Sequence, residues 1–129
     1  MADVRPLRAL HFDPAVAGPL QDLVSPPYDV IDPAQRERLA ARAEHNVVRI
    51  DLPVGEDPYG VAAQTFEAWQ AEGAVVADDA PAIWALTQDY TAPDGSSHSR
   101  HGILARVRVE DYESGTVRPH ERTHPGPLS

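Results

Sequence analysis

The densest run of reactive side chains is His120-Glu121-Arg122-Thr123-His124. Its letters satisfy H-E-x-x-H, in which two imidazoles one helical turn apart bind zinc and the glutamate activates the metal-bound water. That chemistry needs a helix, and the context denies one. Pro119 stands directly before the run and Pro125 directly after it, so His124 is pushed out of the helical region by the proline that follows. A zinc peptidase is set aside, and no metal site is expected. His98 and His101 read as solvated histidines at the end of a hairpin, and Asp78-Asp79 as a solvated connection. The chain contains no lysine, which removes Schiff-base and P-loop lysine mechanisms, and neither Ser25 nor the serines around Ser96 lie in a G-x-S-x-G context. Two polar, proline-stiffened segments remain: SPPYDVID, from Ser25 to Asp32, and VRPHERTHPGP, from Val117 to Pro127. Proline reduces the entropy lost on ordering, so polar groups flanked by it can be held without a large core. From the residues alone, a binding or catalytic site and a pair of rigid turns with ordinary polar side chains fit these segments equally well.

The elements that would position these segments can be read from local signals. Val4 to Phe12 suggests a first strand, with Pro6 confining it to an edge or a start. Asp32 followed by Pro33 predicts a helix start, Ala34 to Glu44 carries helix-forming residues, and Asn46 is placed to end the helix in the left-handed conformation. The branched residues of Val47 to Leu52 favour a strand. Asp57-Pro58 repeats the cap-then-proline signal. Tyr59, Ala62, Phe66 and Trp69 then fall at helical intervals and predict one apolar face, with Gly73 as terminator. Ala74, Val75 and Val76 form a short piece before the next strand. Ala82 to Tyr90 and Gly102 to Val109 read as antiparallel partners across the turn Pro93 to Ser97, with Trp84 and Tyr90 packing from one face and Arg106, Arg108 and Glu110 on a charged face. The sum is an α+β fold: a mixed, largely antiparallel sheet of about five strands with two helices. Such a sheet, awaiting more strands, would leave an exposed edge.

Composition sets outer bounds. The chain has 129 residues, 20 acidic against 11 basic, a net charge of −9 and no cysteine. One domain or part of one is expected, without disulfides. The negative charge opposes binding to nucleic acid or an anionic membrane, leaving a small molecule as the expected partner. Without a long apolar run or a signal-like N-terminus, the cytoplasm is the default location.

Several stretches together resemble a known family. Ser25-Pro26-Pro27-Tyr28-Asp29-Val30-Ile31, then Asn46 to Pro53, the Tyr59 to Gly73 helix and Pro119-His120-Glu121-Arg122-Thr123 look like the N-terminal part of the bacterial and archaeal family called domain of unknown function 1015. Members are much longer and continue past the position of Pro127. The resemblance therefore implies that residues 1–129 are the N-terminal portion of a single larger family domain. The family's further region holds a D-G-H-H-R-Y segment similar to the phosphate-binding segment of ParB-like free serine kinases, which use a glutamate in a proline-histidine-glutamate context to activate a hydroxyl. By that resemblance the intact protein is a kinase of a small, serine-like hydroxylated metabolite, using ATP or ADP with Mg²⁺. Glu121 would be the general base and His120 its neighbour; Arg122 and Thr123 would bind substrate or phosphate, and Tyr28 and Asp29 would lie at the rim. D-G-H-H-R is absent from these 129 residues, so the resemblance implies a chain inactive alone. A non-catalytic domain that binds a small ligand or a protein through the same segments is the alternative.

Overall fold

The computed structural model describes residues 1–119. Along the chain run β1 (Val4–Arg5), β2 (Leu10–Phe12), α1 (Pro14–Ala17), α2 (Leu20–Leu23), a 3₁₀ turn (Tyr28–Val30), α3 (Pro33–Arg42), α4 (Val48–Asp51), α5 (Pro58–Ala71), β3 (Val75–Ala77), β4 (Trp84–Thr91), β5 (Ser97–Leu104), β6 (Arg106–Val107) and a second 3₁₀ turn (Tyr112–Ser114). The α+β class holds, but the expected single sheet does not. The strands form three separate antiparallel pairs: β1 with β6, β2 with β3, and β4 with β5. Two causes are visible. The stretch expected as one strand from Val4 to Phe12 is split, and its halves pair with different partners. Val47 to Leu52, expected as a strand, is instead the helical turn α4. Among the described residues no helix is long and apolar enough to cross a membrane.

The described residues divide into two compact units, Ala9–Asp79 and Met1–Arg8 with 80–119. In the first, three Asp-Pro steps start helices. The carboxylates of Asp13, Asp32 and Asp57 accept from the backbone N–H groups of Ala15 (2.9 Å), Gln35 (2.7 Å) and Gly60 (3.0 Å), and the following proline sits where an N–H would have no helical partner. The Asp13 step makes helical turns of what composition alone presents as a loop. Gly73 takes φ +81, the left-handed value expected of a helix terminator.

The main core of this unit gathers Ala17, Leu23, Trp69, Ala74 and Val75, with Phe12, Ala43, Ile50 and Phe66 packed against it; Leu39, Ala40 and Val48 form a second cluster with Ile31 and Leu52. The apolar stripe of α5 holds at three of its four positions: Trp69 is buried and Ala62 and Phe66 partly so, but Tyr59 is 85% exposed. Asn46 does not end α3 in the left-handed region; among the described residues none other than glycine has positive φ. It is fully buried instead, and its side chain organises the chain around it. The amide donates to the carbonyls of Asp22 (2.7 Å) and Val24 (3.2 Å), while Oδ1 accepts from Val48 N–H (3.0 Å) and so starts α4. This bond to the first turn is what overrides the strand preference of the Val-Val-Arg-Ile residues.

In the second unit β4 and β5 form a long hairpin, with Trp84 opposite Leu104 at the base and Thr91 opposite Ser97 at the tip. Ser97 to His101, expected to lie before the strand, are part of it. The turn closes through Gly95, at φ +85, and through Asp94, whose carboxylate accepts from both the N–H (2.9 Å) and the hydroxyl (2.6 Å) of Ser96. Those two bonds hold the Asp94 carboxyl below its ordinary value. Every residue of both strands is exposed, so Trp84 and Tyr90 do not pack into a core; Tyr90 stacks on His98 instead, ring centres 5.6 Å apart.

Candidate functional site

Of the six residues that the family resemblance places in a site, Tyr28 and Asp29 are the ones the structure describes. Both lie on the 3₁₀ turn that follows the extended Pro26-Pro27 pair, and both are exposed. They stand on the surface, while Ser25 just before them has its hydroxyl oxygen buried without a partner among the described residues. His120, Glu121, Arg122 and Thr123 lie outside the described residues.

The histidines and paired carboxylates resolve into structural roles. In β5, His98 and His101 are an odd number apart and project from opposite faces, which prevents them from sharing a metal; His98 Nε2 lies 2.7 Å from the Ser96 hydroxyl and His101 Nδ1 lies 3.2 Å from that of Thr87. Asp78 joins the ends of β2 and β3: it accepts from the N–H of Ala9 (3.1 Å) and lies 3.1 Å from His11 Nδ1. Among the described residues no three His, Cys, Asp or Glu side chains are placed to hold a metal ion.

A better-formed site lies between α3 and α5. A cleft of about 560 Å³ is walled by Ala40 and Ala41 of α3, Ala43 just after it and Thr65 of α5, reaches Trp69, and includes Arg36, Glu44 and Arg49. The two arginines are held differently. Arg36 donates through Nε to Leu52 O (3.0 Å) and pairs through Nη1 with Glu37 (2.8 Å). Arg49, half-buried on α4, donates through Nη2 to Ala40 O (2.7 Å), one of the carbonyls left over at the end of α3. Its Nε is buried with no partner, and among the described residues no carboxylate pairs with it. A cation withdrawn from water without a counter-charge is costly, and an acidic group entering the cleft would relieve that cost. Sequence reasoning passed over Arg49 because it sits in a stretch that reads as a strand, where its side chain would have no reason to turn toward α3.

Against known proteins, the family model described as protein of unknown function (DUF1015) matches residues 4–129. The chain belongs to the DUF1015 family. No curated protein and no solved structure matches it. The DUF1015 match takes in both units, the Asn46 to Pro53 stretch that supplies Asn46 and Arg49, and the SPPYDVID and Pro119 to Thr123 segments on which the resemblance was read. The family's description assigns no activity, so residue roles in this DUF1015 chain rest on the chemistry of the residues themselves.

Proposed function

We propose that this chain binds a small organic ligand carrying an acidic group in the α3–α5 cleft, as a ligand-binding domain working in the cytoplasm. The observation that carries the reading is Arg49: a half-buried guanidinium, fixed at one end by Ala40 O, with an unpartnered Nε and no counter-ion among the described residues, on the wall of a cleft of about 560 Å³. That volume is ordinary for a small-molecule site, and the apolar surface of Trp69 and the alanines suits the carbon part of such a ligand. The test is a titration of the full chain with small acids such as benzoate, followed by amide chemical shifts. Saturable shifts confined to residues around the cleft are expected. They should disappear in Ala41→Trp, which places a large side chain into the cleft from an exposed helix position, while the thermal midpoint stays close to native. No saturable shift at the cleft residues with any acid tested overturns the reading.

A second and finer reading is favoured by Pro119-His120-Glu121 within the matched span. In it the chain is the N-terminal portion of a larger family domain that phosphorylates a small hydroxylated metabolite with ATP or ADP and Mg²⁺; Glu121 accepts the hydroxyl proton, His120 orients it, and Arg122, Thr123, Tyr28 and Asp29 contact substrate. Removing a general base costs on the order of 10²-fold or more in rate. A family protein containing the D-G-H-H-R segment, carrying Glu121→Gln at the matching position, is therefore expected to lose nucleotide turnover to that extent with its hydroxylated substrate. Equal turnover removes Glu121 from the mechanism.

A further inference from the structure

In the unit that contains Met1–Arg8, three arginines share one face. β1 and β6 pair antiparallel with Arg5 directly opposite Arg106 and Val4 opposite Val107. The N–H of Arg108 donates to Asp3 O (3.0 Å), which carries the register on and sets Asp3 opposite Arg108. Residues directly opposite each other point to the same face, and so do residues two apart on one strand. Asp3, Arg5, Arg106 and Arg108 therefore stand together, and with Val107 they line a pocket of about 350 Å³.

The charges in this pocket do not cancel. Asp3 is engaged twice by Arg5, Oδ1 with Nε at 3.0 Å and Oδ2 with Nη2 at 2.8 Å. The side chains of Arg106 and Arg108 have no hydrogen-bond or ion-pair partner among the described residues. Like charges directly opposite in a ladder are destabilising, and the β1–β6 ladder is only two residue pairs long. In a chain of net charge −9, three guanidiniums against one carboxylate make a local excess of two positive charges. A single carboxylate would balance half of that excess. A phosphate group, with close to two negative charges near neutral pH and three acceptor oxygens, balances it and fits the planar fork of arginine donors. The overall negative charge repels a long polyanion but leaves a small one free to approach.

We propose that Arg5, Arg106 and Arg108 form a binding site for the phosphate group of a small molecule, with Asp3 competing for Arg5 when the site is empty. This site is independent of the α3–α5 cleft. Titration of the full chain at constant ionic strength with inorganic phosphate, phenyl phosphate and benzoate, read by arginine Nε–Hε shifts, tests it. Both phosphates are expected to bind at least about fivefold more tightly than benzoate, and the stronger of the two shows whether the phosphate is taken free or on an ester. Arg106→Gln and Arg108→Gln should each weaken phosphate at least about fivefold, whereas Asp3→Asn should tighten it by freeing Arg5. A purely structural role would not produce opposite effects of these variants on affinity. Equal affinity for phosphate and benzoate, or phosphate affinity unchanged in Arg106→Gln and Asp3→Asn while their amide spectra remain native, overturns the proposal.

Discussion

Trp69→Ala is expected to destabilise the chain by about 3 to 5 kcal/mol, the cost of deleting a large buried aromatic and leaving a cavity. Trp69 is 4% exposed and joins three parts of its unit. Its ring lies 5.7 Å from that of Phe12 at the end of β2 and 5.6 Å from that of His45, which meets it edge-on. It also shares a cluster with Leu23 of α2 and Val75 of β3. His45 is 8% exposed and is fixed in turn by Glu72, Nε2 to Oε1 at 2.8 Å. Removing the indole therefore loosens the β2–β3 pair, α2 and the chain after α3 at once. A small domain has only about 5 to 15 kcal/mol of stability, so this loss is a large share of the total. Urea unfolding followed by far-ultraviolet circular dichroism measures it. Tyr59→Ala, on the same helix but 85% exposed, serves as the comparison and should change stability by about 0.5 kcal/mol or less. Similar losses for the two variants would contradict the assignment of Trp69 as the centre of this core.

The contrast between Trp69 and Tyr59 shows how far the sequence was legible. Spacing places both on one face of α5, but which end of that face is covered depends on residues distant in the chain. Helix starts were legible because an Asp-Pro step acts through bonds to backbone two or three residues away, as at Asp32 and Asp57. The sheet was not. Pairing of β1 with β6 and of β2 with β3 joins residues from opposite ends of their units, and no local signal shows that the Val4 to Phe12 stretch changes partner midway. Sites follow the same division. The alternation of Arg106 and Arg108 marks a charged face by sequence alone, yet Arg5 joins it only through strand register. Arg49 faces a cleft only because Val48–Asp51 is helical. Tyr28 and Asp29, named through the family resemblance, are exposed, and neither lines the α3–α5 cleft.

Asn46→Asp is expected to cost about 3 kcal/mol at neutral pH and clearly less in acid, and the pH dependence identifies the cause. The native side chain is fully buried and uses both ends of its amide: two N–H bonds reach the carbonyls of Asp22 and Val24, and Oδ1 receives Val48 N–H. Replacing the NH₂ group by a carboxylate oxygen keeps the bond from Val48 but turns the other oxygen, in a fully buried site, toward two carbonyl oxygens. Each lost bond costs about 1 kcal/mol, with a further penalty for leaving the carbonyls unsatisfied. Burial and the facing carbonyls both disfavour the ionised form, so the new carboxyl is raised above its ordinary value in the folded chain, whereas in the unfolded chain it titrates near pH 3.9. Below that value it is protonated in both states, and its O–H can donate to one of the carbonyls. Above it the unfolded state gives up the proton and the folded state resists, so the variant loses stability as pH rises toward its folded value. The stability gap to the native chain is expected to widen by about 1.4 kcal/mol or more between pH 4 and pH 7.5, since each unit of displacement carries about that much. Asn46→Ala removes all three bonds without adding a charge, and its gap should stay constant across the range. If the gap for Asn46→Asp also stays constant, the side chain at position 46 is not held against the Asp22 and Val24 carbonyls, and the account of why Val47 to Leu52 turns into a helix fails with it.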